Sequence, residues 1–228
     1  MIILGITIKE SGAINVDLGL VSKNEFDLLL DKYIKSATVT NGSGTKTYKY
    51  EEKENVKLEI HSKYFKDSKI DITYVIRVRN IGEVSGYVNR IADYVPEGMK
   101  FDNNKNPDWY YGDDGNLYYK GLIGQEIKAG ETKEISLTLT KTLDKGEAVK
   151  ITNSAEIAES TNSIGLTDKD SVTNNKNAKE DDYGTVSLMI TISTGKALEN
   201  IMIVILAVLT VIIIVYIVKF KPIKRVYR

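Results

Sequence analysis

The sequence predicts an all-β protein: an immunoglobulin-like β-sandwich followed by a single C-terminal transmembrane helix. Three observations support this fold class. Apolar and polar residues alternate in several short segments, turn-forming residues separate those segments, and one uncharged apolar run occupies residues 201–218. The alternating segments number about six to nine, which is typical of a two-sheet sandwich.

The alternation is clearest over residues 72–78, where Ile72, Tyr74, Ile76 and Val78 alternate with Thr, Val and Arg residues. A period of two places successive side chains on opposite faces of a strand, so one face of this segment is expected to be buried. Comparable patterns predict strands over residues 26–34, 56–60, 87–95, 135–139, 149–158 and 186–192. Turn-forming residues separate them at positions 41–44, 80–82, 113–116 and 129–131.

The pattern divides the chain into four parts. Residues 1–22 form a strand-like segment that we expect to end a preceding module. Residues 23–195 form the predicted sandwich domain, with a long polar loop over residues 162–183. Residues 199–218 are the predicted transmembrane helix, and residues 219–228 are a basic tail.

The apolar run determines the expected location. Its eighteen residues span roughly 27 Å as a helix, close to the ~30 Å hydrocarbon core of a bilayer. Basic residues follow the run, and they resist translocation, so the C-terminus is expected in the cytoplasm and the bulk of the chain outside the cell. The first residues lack a basic region and a cleavage site, so we expect the C-terminal part of a longer protein. The alternative is a tail anchor whose domain lies in the cytosol.

Composition excludes several function classes. The tail holds five of the thirty-one basic residues, which leaves the remainder mildly acidic, at about −5, and argues against nucleic-acid binding. The chain has no cysteine and one histidine, so it offers no disulfide, no thiolate metal site and no histidine cluster. No nucleophile–base pair stands out, and the sequence predicts neither an enzyme nor a cofactor.

The order of short motifs resembles a known family. A strand ending in Asn80-Ile81-Gly82 is followed by Asp93-Tyr-Val-Pro96 and by Gly98-Met-Lys-Phe101, and residues 129–131 and 151–155 read A-G-E and I-T-N-S-A. Over residues 25–193 this order resembles the conserved-repeat domain called domain of unknown function eleven. Residues 26–34 also look like the first strand of such modules in clostridial surface proteins.

This resemblance implies an immunoglobulin-like domain of a Gram-positive surface protein with no enzymatic activity. Such proteins often end in a sortase sorting motif, L-P-x-T-G, which this sequence does not contain. The apolar run is therefore expected to be the membrane anchor.

Three polar side chains are predicted to point into the core. Strand parity places Lys32, Asp93 and Asn153 each on the apolar face of its own predicted strand. Burying them is costly unless they meet. If they meet, desolvation favours a neutral amine that attacks the asparagine side chain, with the aspartate as proton carrier, to form an isopeptide bond.

The trio resembles the lysine, asparagine and acidic residue of self-crosslinking adhesin and pilin domains. The alternative is that each side chain is satisfied on its own. Asn153 would then bond to backbone, Lys32 would extend its amine to solvent, and Asp93 would cap a turn.

Two further sites are weaker candidates. Trp109, Tyr110, Tyr111 and Tyr118 flank a turn and form either an exposed binding surface or the cross-strand pairs of a structural hairpin. Four acids of the polar loop are candidate calcium ligands, although their spacing does not fit an EF-hand and a solvated linker is the alternative; they are Asp168, Asp170, Asp181 and Asp182.

The sequence thus predicts a membrane-anchored structural or adhesive module of the cell surface, similar to a stalk. Its expected partners are the lipid bilayer, through residues 201–218, and a cell-wall polysaccharide or a host or neighbouring surface protein. The alternative function is an extracellular ligand-binding module that holds a glycan or protein with the aromatic hairpin at residues 109–119.

Overall fold

The computed structural model describes residues 24–193 and 196–220, and within them the chain forms twelve strands and two helices. The strands are β1 (Leu28–Asn41), β2 (Gly44–Lys49), β3 (Asn55–His61), β4 (Lys69–Asn80), β5 (Gly86–Tyr94), β6 (Met99–Phe101), β7 (Trp109–Tyr111), β8 (Leu117–Tyr119), β9 (Glu126–Ile127), β10 (Thr132–Thr142), β11 (Val149–Asn162) and β12 (Tyr183–Ser193). The helices are α1 (Ser62–Phe65) and α2 (Lys196–Phe220).

The strands form two sheets whose order is that of an immunoglobulin-like sandwich. One sheet has the order β2-β1-β4-β10-β6, and the other has the order β3-β12-β11-β5-β8-β7, with β9 beside β5. The series β1-β4-β10-β6 and β12-β11-β5 correspond to strands A-B-E-D and G-F-C of that fold. All pairs are antiparallel except β12 with β3. The predicted fold class is confirmed.

The core lies between the two sheets and is built from alternating positions of the long strands. Ile72, Tyr74, Ile76 and Val78 of β4 are buried, as the sequence pattern predicts. Leu137 and its apolar neighbours on β10 are buried in the same way. Burial of each aliphatic side chain contributes about 1.5–3 kcal/mol relative to exposure. The alternation therefore determines both strand position and which face packs inward.

Three register shifts interrupt the pairing of the strands that carry polar core residues. The β1–β4 register shifts between Ile34 and Ser36, and the β11–β5 register shifts after Ile157. A bulge reverses which face a later residue occupies. On β1 and β11 the shifts follow the polar positions, so Lys32 and Asn153 keep the inward orientation that parity predicts.

The turn after β4 depends on one buried asparagine. The Asn80 side chain donates hydrogen bonds to the carbonyl oxygens of Val84 at 2.8 Å and Ile127 at 2.9 Å, and it accepts one from the N–H of Gly82 at 3.1 Å. A Cβ at position 82 would lie 2.6 Å from the carbonyl oxygen of Glu25, so glycine is required there. The Asn-x-Gly motif thus joins three chain segments at one end of the sandwich.

Helix α2 contains one stretch long and apolar enough to cross a membrane, Ile201–Lys219. Its described side chains are exposed rather than packed against the sandwich, so it is not a core helix. The hydroxyl of Thr210 donates to the carbonyl oxygens of Ala207 and Leu206, which satisfies the polar group within the helix. The predictions for residues 1–22 and 221–228 lie outside the described residues.

Replacing Asn80 should destabilise the sandwich. Asn80→Ala removes the side-chain donor from the carbonyl oxygens of Val84 and Ile127, and we expect it to lower the free energy of unfolding by about 2–4 kcal/mol. Denaturant unfolding followed by the fluorescence of Trp109, the single tryptophan, measures this loss. Asn89→Ala is the control, because Asn89 makes one surface hydrogen bond to Thr161. Equal effects of the two variants would contradict this role.

Candidate functional site: a buried lysine–aspartate–asparagine cluster

Lys32, Asp93 and Asn153 meet between the two sheets. Lys32 comes from β1 in one sheet, whereas Asp93 on β5 and Asn153 on β11 come from the other. The Lys32 ammonium donates a short hydrogen bond to Oδ2 of Asp93, and Nδ2 of Asn153 donates to Oδ1 of the same carboxylate at 2.9 Å. The aspartate therefore holds the amine and the carboxamide at the same place in the core.

The cluster is fully enclosed. Lys32 is 3% exposed, Asp93 0% and Asn153 1%. Burial lowers the pKa of the Lys32 amine from its usual value, and the adjacent Asp93 carboxylate opposes that shift. A buried charge pair of this kind is held in place because removing either partner leaves the other charge uncompensated.

Small residues on the opposing sheet make room for the lysine. A Cβ at Gly184 on β12 would lie 3.0 Å from Cβ of Lys32 and 2.8 Å from Cδ2 of Leu30. Ala155 of β11 pairs with both Gly184 and Asp93. The sequence analysis missed Gly184, since its role depends on the approach of β1 from the other sheet.

Two polar atoms beside the cluster have no hydrogen-bond partner. Oδ1 of Asn153 is buried and unpaired, although its Nδ2 also donates to the backbone carbonyl of Tyr94 at 3.2 Å. The hydroxyl of Tyr74 is likewise buried and unpaired, and the Lys32 ammonium lies 5.2 Å from the centroid of the Tyr74 ring. A reaction at this carboxamide would break the two hydrogen bonds that Nδ2 donates, whereas the carboxamide oxygen has no hydrogen bond to lose.

The aromatic candidates form a hairpin rather than a single exposed surface. Trp109 pairs with Tyr119 across β7 and β8, is 2% exposed, and donates from Nε1 to the carbonyl oxygen of Ser136 at 2.9 Å. Tyr118 is also buried, and its hydroxyl donates to Asp114 at 2.6 Å. These contacts match the structural alternative for the two side chains.

The remaining aromatic candidates are Tyr110 and Tyr111, which are 40% and 52% exposed. Tyr111 makes an edge contact with Phe101, with ring centroids 5.4 Å apart. Only this half of the predicted binding surface is open to solvent.

The acidic loop candidates separate into two groups. Asp168, Asp170 and Asp181 lie together, and they are joined by Asp27, the residue before β1, with one carboxylate oxygen of each within 4.8 Å of the others. Burial raises the pKa of Asp27, Asp168 and Asp181, and repulsion from the neighbouring acids raises each further. Sequence analysis missed Asp27 because it is far from the loop in sequence and fell inside the strand predicted over residues 26–34.

Asp182 lies apart from the other loop candidates. It is 2% exposed, and neither of its carboxylate oxygens has a hydrogen-bond partner. Burial, followed by the charge of Glu156, raises its pKa to about 7. Glu156, also buried, accepts hydrogen bonds from the hydroxyl of Tyr94 and, at 2.9 Å, from the N–H of Lys176.

Comparisons with known proteins add little to this geometry. No family model matches the chain, and no curated protein matches it. Solved structures that match include the CARDB domain of a Pyrococcus furiosus protein, which was crystallised in complex with di-metal ions. That domain is 11% identical, the match covers 76% of this chain and 100% of the other, and the TM-score is 0.33. This likeness supports no functional conclusion.

The raised pKa of Asp182 predicts a specific pH dependence. The folded carboxyl binds its proton up to about pH 7, whereas the unfolded one loses it near pH ~3.9. Its contribution to stability is therefore full below pH ~4 and declines as the pH rises to about 7. Asp182→Asn should be more stable than the wild type at pH ~8, with a difference that shrinks below pH ~5.

Denaturant midpoints across this pH range, measured with a chelator present, test the expectation. Asp144→Asn is the control, because it removes one carboxylate at an exposed position, and the change of stability with pH should be larger for Asp182→Asn. A pH-independent difference for Asp182→Asn would disprove the assignment.

Proposed function

We propose that this chain is a membrane-anchored structural module of the cell surface whose two sheets are joined by an isopeptide bond between Lys32 and Asn153. The observation that carries the proposal is the buried cluster in which Asp93 binds both the amine and the carboxamide. The resemblance to self-crosslinking adhesin and pilin modules supports it. The role is structural, and the only reaction is one intramolecular condensation.

The reaction needs only the groups of the cluster. Asp93 takes a proton from the Lys32 ammonium, whose pKa is lowered by burial. Nζ of Lys32 then attacks Cγ of Asn153. Asp93 gives its proton to Nδ2 and takes one of the two protons that remain on Nζ, and the Cγ–Nδ2 bond breaks so that Nδ2 leaves as ammonia. Confinement of the reacting groups in a rigid core lowers the entropic part of the barrier.

Such a bond would add strength that a cysteine-free chain cannot obtain from disulfides. It would close a loop of roughly 120 residues, and a cross-link of that size contributes about 4–5 kcal/mol on the chain-entropy model. It would also connect β1 directly to β11, and so one sheet to the other.

The membrane side of the proposal rests on charge. Lys219 ends the apolar stretch, and the sequence continues with Lys221, Lys224, Arg225 and Arg228. Basic residues beside a span remain in the cytoplasm, which would place the sandwich outside the cell. The exposed part of the sandwich would then be available to wall polysaccharide or to other surface proteins.

An intact mass measurement on the full chain in detergent tests the isopeptide bond. We expect a mass about 17 Da below that of the sequence, which corresponds to one lost ammonia. Lys32→Arg keeps the ion pair with Asp93 but removes the nucleophile, and should have its full calculated mass. Lys35→Arg is the matched control, since Lys35 lies on the exposed part of the same strand and the variant should still lose ammonia.

Asp93→Asn provides a second variant that retains the size of the side chain but not its proton transfer, and it should also keep its full mass. Fragmentation of the wild-type protein should yield a branched peptide that joins Lys32 to Asn153. A wild-type chain that folds, as judged by near-ultraviolet circular dichroism, and yet has the full sequence mass would show that no bond forms.

Labelling of single introduced cysteines tests the orientation. Because the natural chain has no cysteine, Ser43→Cys in the exposed β1–β2 turn would carry the only thiol. A membrane-impermeant maleimide should label it in intact cells, whereas Arg228→Cys should react only after permeabilisation. The opposite pattern would identify a tail-anchored protein whose sandwich faces the cytosol.

A further inference from the structure

Four carboxylates from distant parts of the sequence converge at one end of the sandwich. Asp27 precedes β1, and Asp168, Asp170 and Asp181 belong to the loop between β11 and β12. One oxygen from each lies within 4.8 Å of the other three. Carboxylates this close repel one another, so the arrangement needs a compensating positive charge.

One member of the group also points to a ligand independently. Asp27 is only 5% exposed, and its Oδ1 has no hydrogen-bond partner. A buried carboxylate oxygen without a partner is costly, and native structures supply such an oxygen with a donor or a cation. One oxygen of this carboxylate belongs to the group of four, so a cation bound by the group would be a partner for the buried Asp27 side chain.

The nearby lysine does not fill this role. The Lys169 ammonium pairs with Glu25 at 2.8 Å, and its distance to the Asp27 carboxylate is 3.9 Å, beyond hydrogen-bonding range. Glu25 therefore offsets the charge of Lys169, and the four aspartates retain a large net negative charge.

Hydrogen bonds position the aspartates of the loop and still leave carboxylate oxygens available to bind a cation. Asp168 accepts from the N–H of Leu28 at 2.9 Å through Oδ2, and Asp181 accepts from the hydroxyl of Ser171 at 2.9 Å through Oδ1. Carboxylate oxygens have further lone pairs, so these bonds do not prevent metal coordination. They position the loop against the start of β1.

We propose that Asp27, Asp168, Asp170 and Asp181 bind a Ca²⁺ ion that fastens the β11–β12 loop to the beginning of β1. Hard oxygen ligands with no nitrogen or sulfur among them suit calcium, whose remaining coordination positions are taken by water or backbone carbonyl oxygens. Two oxygens on opposite sides of Ca²⁺, each at about 2.4 Å, are about 4.8 Å apart, whereas Mg²⁺ requires about 4.1 Å. The four oxygens all lie within 4.8 Å of one another, so ligands on one Ca²⁺ ion can span their separations.

The site would act on the strand that carries Lys32. The N–H of Leu30, two residues before Lys32, donates to the backbone carbonyl of Asp181 at 2.8 Å. A cation that fixes Asp181 thereby fixes the first part of β1 against the loop. This role does not depend on whether the isopeptide bond forms.

Calcium binding by the full chain in detergent, after removal of metals by chelation, tests the proposal. Equilibrium dialysis with radioactive Ca²⁺ should give one ion per chain with a Kd of about 10⁻⁵–10⁻³ M, the range from sensors to extracellular modules. Saturating Ca²⁺ should raise the Tm by about 5–10 °C, because the ion binds only the folded chain. Mg²⁺ at equal concentration should bind at least about tenfold more weakly.

Two variants and one control locate the site. Asp27→Asn and the exposed Asp170→Asn should each weaken Ca²⁺ binding at least about tenfold, and neither should lower the Tm measured in chelator, because each removes repulsion. Asp113→Asn, in the exposed β7–β8 turn, should bind Ca²⁺ as the wild type does. Absence of binding at 10 mM Ca²⁺ (roughly tenfold above the weakest expected Kd), unchanged binding by both variants, or equal binding of Mg²⁺ would overturn the proposal.

Discussion

The contact on which the sandwich depends is the buried ion pair between Lys32 and Asp93. It is the point at which β1 of one sheet is bonded to β5 of the other through charged side chains. An apolar core has no directional preference, whereas the removal of either member of this pair would leave a buried charge without its partner. Two neighbouring residues support this pair. Gly184 leaves space for Lys32, and Nδ2 of Asn153 donates a hydrogen bond to the second carboxylate oxygen of Asp93.

At the acidic loop, in contrast to the Lys32–Asp93 pair, carboxylates of like charge lie close together. Glu156 and Asp182 are buried beneath the loop, and four further aspartates gather at its edge. Clustered carboxylates oppose folding at neutral pH unless protons or cations neutralise them. The loop is therefore the part of the sandwich whose stability responds most to solution conditions, while the apolar core does not titrate.

The sequence was sufficient for features that depend on local periodicity. Alternation located the long strands and placed Lys32 inside, because the register shift of β1 comes after that position. Strands of two or three residues, such as β9, are too short to show a period. Features made by segments distant in sequence were missed: Asp27 joins acids that lie far along the chain, and Gly184 of β12 makes room for Lys32 of β1. Contacts of this kind depend on topology, which periodicity does not contain.

The pairing of β12 has a mechanical consequence. This last strand lies between β3 and β11 and ends at Ser193, close in sequence to the start of α2 at Lys196. A force on the C-terminus therefore acts along the strand, and its ladder hydrogen bonds on both sides are loaded together in shear rather than opened one at a time. The sandwich thus presents to its anchor the strand with two hydrogen-bonded neighbours, whereas the edge strands bear none of that load directly.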